Sequence, residues 1–264
     1  MRIPILRAGT LEAFPPVESA LAEPDGLLAA GGDLSPERLL AAYRRGIFPW
    51  YSRGQPILWW SPDPRTVFET DRMHVPRRLA RALRTCEWTI RADSAFDVVV
   101  RACAAPRAHQ RGTWIDAAMR KAYQRLHELG HAHSIEAWDD DTLVGGIYGV
   151  AIGRMFFGES MFSAVENGSK VALLALASTL RRWDFPLLDA QVASPHLFTL
   201  GATEIERASF CASVAELCRR EGIAGSWRDI FPALRPRDFA AGATERRSGP
   251  AEPVGDEPPT TDEP

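Results

Sequence analysis

Apolar and polar positions along the chain follow two different periods, and the switches between them mark the elements. Leu39, Leu40 and Tyr43 recur at helical spacing behind Ser35-Pro36-Glu37, where Ser35 can cap a helix, Pro36 can open it and Gly46 can end it. Residues 76–84 predict a second helix opening at Pro76. Leu79 and Leu83 share one side, and Arg77, Arg81 and Arg84 fall within about 60° of one another on the other. Residues 88–92 read as a strand, 96–104 as a helix, and Asp116 as the cap of a helix running to Leu129 and closed by Gly130. From Ala132 the period shortens to two. Residues 132–138 and 143–150 pair as a hairpin around Asp139-Asp140-Asp141, and 155–157 continue the sheet. A helix follows Glu166-Asn167-Gly168-Ser169-Lys170, a second apolar run ends in Asp189-Ala190-Gln191, and the last helix spans 208–220.

This order predicts an α+β protein. Residues 1–62 form a small, proline- and aromatic-rich N-terminal α/β unit, and 63–235 a twisted mixed sheet carrying helices. Residues 236–264 turn to glycine, proline, threonine and acids and read as a disordered acidic tail, with too little apolar surface to offset its ordering entropy.

Composition narrows the picture further. At 264 residues with 45% apolar positions, the chain can bury a sizeable core. Net charge is −3, but the segment from Ala243 to Pro264 holds six acids and two arginines and carries −4, which leaves the body at +1. A polyanion would therefore have to meet a local basic patch, not a basic protein. Within the predicted helix at 76–84 no acid stands three or four residues from an arginine to neutralise it, which favours a phosphate-contacting face over an ordinary solvated one. Cys86, Cys103, Cys211 and Cys218 form no CxxC pair, the chain opens on no signal-like segment, and no apolar run approaches a membrane span of about 20 residues. The expectation is a cytoplasmic protein with reduced thiols and no membrane association.

Two patterns could carry chemistry. His127-Glu128-Leu129-Gly130-His131 matches H-E-x-x-H, but strand periodicity begins at Ala132 straight after a glycine, and Ser134 and Ala137 stand where the extended motif needs Gly and His. The polar end of a helix is the better reading, and neither metal nor cofactor is expected. The second pattern is a carboxylate and an amide, Glu159 and Gln191, each at the end of an apolar run with a helix between them. Either alone could be a satisfied polar group stitching the sheet; together they read as a site. No G-x-S-x-G elbow surrounds Ser160 or Ser163. Among the aromatics, Trp59 and Trp60 read as core, and Trp50, beside a proline turn, as a stacking surface for a base or ring.

At these residues the chain resembles the leucyl/phenylalanyl-tRNA–protein transferases. The resemblance covers roughly residues 14–210 and rests on GLLAAGGDLSPERLLAAYRRGIFPWY, ILWWSPDPR, GTWI, AYQRLHELGHAHSIE, LVGGIYGV, GESMFS, NGSKVALLAL and LDAQV, in that order. It implies a small N-terminal domain followed by a GNAT-like (N-acetyltransferase-like) domain, without that fold's usual acyl-CoA pyrophosphate loop. It implies transfer of Leu or Phe, sometimes Met, from aminoacyl-tRNA to the N-terminal Arg or Lys of acceptor proteins, marking them for N-end rule degradation. By motif position it implies Gln191 and Glu159 as the catalytic pair and Trp50 and Trp114 as binders of the 3′-adenosine. Ile147, Phe156, Gly158, Met161, Leu176 and Leu188 line up with the pocket for the donor side chain. Leu176 stands where a relative has an aromatic, and Phe157 where a small residue can occur, which leaves the choice between Leu and Phe open. Whether Glu159 orients Gln191 or binds the acceptor's cation stays open too. An acyl-CoA-dependent N-acyltransferase and a non-catalytic tRNA-binding module are the alternatives.

Overall fold

A computed structural model describes residues 3–10, 13–105 and 115–240. A four-stranded sheet comprises β1 (Ile5–Leu6), β2 (Leu27–Gly31), β3 (Phe48–Pro49) and β4 (Leu58–Trp60), in the order β1-β2-β4-β3. A seven-stranded sheet comprises β5 (Arg65–Glu69), β6 (Thr89–Ala92), β7 (Ala132–Asp139), β8 (Thr142–Ile152), β9 (Met155–Ser163), β10 (Leu187–Gln191) and β11 (Thr203–Ile205). Its order is β11-β5-β10-β9-β8-β7-β6. The helices are α1 (Pro36–Tyr43), α2 (Arg77–Arg84), α3 (Phe96–Ala104), α4 (Ala117–Glu128), α5 (Gly168–Arg182), α6 (Pro195–Thr199), α7 (Arg207–Leu217) and α8 (Pro236–Phe239). The chain is thus a mixed α and β protein. Among the described residues no helix is long and apolar enough to cross a membrane.

Local chemistry accounts for the elements that flank the site. Ser35 caps α1 by accepting from Arg38 N, with Pro36 at its first position, and Asp116 caps α4 by accepting from Met119 N. The strands β7, β8 and β9 form an antiparallel meander, whereas β9 and β10 run parallel. Parallel strands need a crossover, and α5 supplies it. Val171 to Ala177 are all buried, so α5 is apolar nearly all round and lies against β7, β8 and β9.

The two faces of the large sheet carry separate hydrophobic clusters. One joins Phe157, Tyr148 and Met155 to α3, α4 and α7, and runs on without a break into Leu28, Tyr43, Phe48 and Trp59 of the N-terminal sheet. The other joins Ile147, Phe156 and Leu188 to α2, α5 and Phe239. Both sheets therefore share one core, which covers a face that the large sheet could not bury by itself.

The structure corrects the start of the tail. Residues 236–240 are not a disordered segment: Pro236 and Phe239 are buried, and α8 packs on α2. Residues 241–264 lie outside the described residues. The helix read as last ends at Leu217, short of Arg220.

Where α5 begins is set by a close approach of backbones. A Cβ added at Gly145 of β8 would lie 2.3 Å from the carbonyl carbon of Gly168, and one added at Gly168 would lie 2.3 Å from Val144 O. Neither neighbour is a side chain that could swing away. Gly145→Ala should therefore lower the unfolding free energy by about 1–3 kcal/mol through overpacking, read as a lower denaturation midpoint at unchanged m-value.

Candidate active site

Glu159 and Gln191 come together: Gln191 Nε2 donates to Glu159 Oε1 at 2.9 Å. Both side chains are almost out of solvent, at 8% and 9% exposure. Each sits at an irregularity of the sheet. Tyr148 pairs with Ser160 but Gly149 with Gly158, so Glu159 is the extra residue of a β-bulge between β8 and β9. Asp189 pairs with Val67 but Gln191 with Thr66, which makes a second bulge at Ala190. Gln191 itself adopts φ 62°, left-handed backbone that a residue with a Cβ rarely takes. By strand alternation Glu159 shares the face of Phe157, and Gln191 that of Asp189, the face that carries Tyr43, Tyr123 and Tyr148. Pairing between β9 and β10 stops at Phe157 and Asp189, although both strands run on.

Three tyrosines surround the carboxyl. Tyr43 donates to Glu159 Oε1 at 2.7 Å and Tyr123 to Oε2 at 2.5 Å, while the two hydroxyl oxygens lie 2.7 Å apart. The buried Tyr148 hydroxyl has no hydrogen-bond partner among the described residues. Two hydroxyl hydrogens cannot serve three O···O contacts. All three contacts are satisfied when Glu159 carries a proton and donates it to one tyrosine, which donates to the second, which donates back to the carboxyl. Burial pushes the Glu159 carboxyl up to about 7; the nearby Asp189 charge adds to the rise, and the hydrogen bonds from Tyr123, Tyr43 and Gln191 oppose it. Burial, and then the Glu159 charge, raise all three tyrosines well above the usual phenol range.

The other sequence-predicted residues fall as follows. Ile147, Phe156, Leu176 and Leu188 are buried in one cluster with Met161 packed against it, and a Cβ at Gly158 would lie 3.7 Å from Leu188 Cδ2. That cluster is on the face of the sheet opposite the tyrosines. Trp50 is 43% exposed, its carbonyl accepting from Trp60 Nε1 at 2.6 Å and its ring 5.7 Å from that of Trp60. Trp59 is fully buried and donates to Gly31 O at 2.9 Å. Trp114 lies outside the described residues. Arg77, Arg81 and Arg84 are all exposed on α2, while Leu79, Ala80 and Leu83 are buried. The H-E-x-x-H match does not form on a helix: α4 ends at Glu128, and His131 follows Gly130 at φ 78°. His127 stacks on Phe96 and its Nδ1 lies 2.8 Å from Ala132 O.

Sequence reasoning missed the tyrosine cage. Tyr43 and Tyr123 each lie on the apolar face of a predicted helix, where an aromatic normally reads as core; the signal was their hydroxyl, which a buried tyrosine must satisfy. A cavity of ≈ 710 Å³ lined by Thr70, His74, Ser178, Arg181 and Asp238 lies at the other end of β10 from Gln191 and adds nothing to this centre.

The chemistry gathered here is an acid held at the edge of protonation and an amide oriented against it. Comparison with known proteins carries this to a family. The family model for the leucyl/phenylalanyl-tRNA protein transferase matches residues 67–215, and that for its N-terminal domain matches 32–63. The chain is 60% identical over 224 residues to the leucyl/phenylalanyl-tRNA–protein transferase of Xanthomonas euvesicatoria pv. vesicatoria, covering 84% of this chain and 90% of that one. It is 57% identical over 227 residues to the same-named protein of Xylella fastidiosa strain M23, covering 86% and 93%. A functionally unknown conserved protein from Staphylococcus epidermidis matches in structure over 68% of each chain at 11% identity, but its TM-score of 0.36 carries no argument. The chain belongs to the leucyl/phenylalanyl-tRNA–protein transferase family.

The raised Glu159 carboxyl has a consequence for stability. The folded protein holds this proton more tightly than the unfolded chain, so the group stabilises the fold fully below about pH 4.5, and the contribution is lost as pH rises through about 7. About 3 kcal/mol is at stake for a shift of that size. The unfolding free energy of the wild type, measured against Glu159→Gln by chemical denaturation, should fall between pH 4.5 and 7.5 and then level off. A pH-independent difference would show an ordinary carboxyl.

Proposed function

We propose that the protein transfers Leu or Phe, with Met as a further donor, from aminoacyl-tRNA to the N-terminal Arg or Lys of acceptor proteins, marking them for N-end rule degradation in the cytoplasm. The observation that carries this reading is the hydrogen bond from Gln191 to Glu159 at the point where β9 and β10 stop pairing. The parallel β9–α5–β10 crossover in an otherwise largely antiparallel sheet supports a GNAT-like larger domain.

The donor is an ester and needs no further activation; orientation alone supplies several kcal/mol of the barrier. Glu159 Oε1 takes the amide nitrogen of Gln191, which leaves the amide oxygen turned away and able to accept a hydrogen bond from the acceptor's α-amine. The amine forms the new C–N bond at the ester carbonyl, the C–O bond breaks, and the tRNA 3′-oxygen leaves with the proton that the amine gives up. Glu159 is already engaged by Tyr43, Tyr123 and Gln191, which favours a role in holding the amide over capture of the acceptor's cation. Trp50 and Trp114 bind the terminal adenosine. Ile147, Phe156, Gly158, Met161, Leu176 and Leu188 receive the donor side chain, where lack of polar partners excludes charged residues.

Incubation with radiolabelled Leu-tRNA should label a peptide beginning with Arg and leave one beginning with Ala unlabelled. Acetyl-CoA in place of the tRNA should acetylate neither peptide. Gln191→Ala should slow transfer about 10²-fold or more while binding of the charged tRNA persists, and a full single-turnover rate would defeat the assignment.

The exposed arginines of α2 fit a phosphate-contacting face without base readout. Replacing Arg77, Arg81 and Arg84 by Ala should weaken tRNA binding and flatten the slope of log K against log salt by about 0.7–0.9 per contact removed. An unchanged slope excludes the patch.

A further inference from the structure

The guanidinium of Arg65 and the carboxylate of Asp189 are both fully buried. Nε and Nη2 of Arg65 donate to Asp189 Oδ1 and Oδ2 at 2.8 and 2.6 Å, and Nη1 donates to Gly46 O at 3.1 Å. The rings of Phe48 and Phe210 lie against the same guanidinium, 4.7 and 4.6 Å from its Cζ. Four parts of the chain thus converge on one planar group: the end of the α1 turn, β3, β10 and α7. A buried ion pair of this kind is a poor source of stability, because desolvation offsets most of the attraction. What it does provide is geometry. A guanidinium fork fixes a carboxylate at two points, and the two rings and the Gly46 carbonyl fix the fork.

Asp189 uses that fixed position on the next bulge. Its Oδ1 also accepts the backbone N–H of Gln191 at 2.9 Å, across the extra residue Ala190 and next to the left-handed φ of 62°. The direction of the Gln191 side chain depends on this backbone conformation, and so on where Asp189 is held.

We propose that Arg65 is a positioning residue for group transfer: clamped by Phe48 and Phe210, it locks Asp189 so that the bulged backbone aims the Gln191 amide at Glu159. The proposal rests on the reading of Gln191 as the catalytic amide. Arg65 touches no substrate; it acts through Asp189 and then Gln191.

The test is a mutant cycle on the full-length protein with Leu-tRNA and an Arg-initial peptide. Arg65→Lys keeps the charge and loses the fork. It should lower kcat about 10–100-fold, the scale of a small misplacement of a reacting group, and leave KM for Leu-tRNA within about twofold. In a Gln191→Ala background the same substitution should change the residual rate by less than about twofold, because the group it positions is gone. An equal fall in both backgrounds, or an unaltered kcat in Arg65→Lys alone, overturns the proposal. A Gln191→Ala protein that transfers at the parent rate removes the reading of Gln191 itself, so the two failures are told apart. If Arg65→Lys does not fold by circular dichroism, Phe210→Leu enters the same cycle. It takes away one ring and keeps the ion pair, and a several-fold fall in kcat that vanishes without Gln191 is the expected result.

Discussion

Burying the Glu159 carboxyl is the constraint that the rest of the structure answers to. An uncompensated carboxylate in that position would cost several kcal/mol, and the chain meets the cost with donors from three separate elements: Tyr43 of α1, Tyr123 of α4 and Gln191 of β10. Part of the solution is chemical as well as structural, since the carboxyl holds its proton up to about 7. Part is architectural. Because Tyr43 belongs to the N-terminal unit, the small sheet and its helix are held against the large sheet by the same group that orients the amide. The continuous hydrophobic cluster from Trp59 to Phe157 spans the same junction.

The bulge at Glu159 resets the alternation of β9. Without the bulge at Glu159, strict alternation would set Met161 on the tyrosine face; with it, Met161 returns to the face of Phe156 and Leu188. One strand pair thus presents apolar side chains to one side and an acid–amide pair to the other.

Much of this was legible in the chain. Ser35 and Pro36 announced α1, the alternation after Ala132 announced the hairpin, and residues 96–104 were read as the helix they form. Glu159 and Gln191 stood out because each polar group closes an apolar run. The cage around them did not, because Tyr43 and Glu159 are 116 positions apart and nothing local to either marks the pairing. The bulges were equally silent: a one-residue slip leaves no trace in a pattern whose both faces are buried. The tail boundary failed for the opposite reason. Composition averaged over 236–264 hid Pro236 and Phe239, which pack on the molecule despite their polar neighbours. Asp189 could have been questioned from sequence alone, since an acid inside an apolar strand needs a cation, but only the fold identifies Arg65 as that cation.

The lapse of pairing beyond Phe157 and Asp189 leaves a consequence for selectivity. The acid–amide pair and the apolar cluster occupy opposite faces of one sheet, beside the strands whose pairing ends. On the reading proposed for this site, a donor residue has its ester on one side and its side chain on the other, with a layer of backbone in between. Reach then matters alongside greasiness: alanine or valine is too stubby to cross a pleated layer and find partners beyond it, whereas an unbranched or γ-branched chain arrives. The sheet becomes a gauge that measures how far a side chain extends before the pocket ever tests what it is made of.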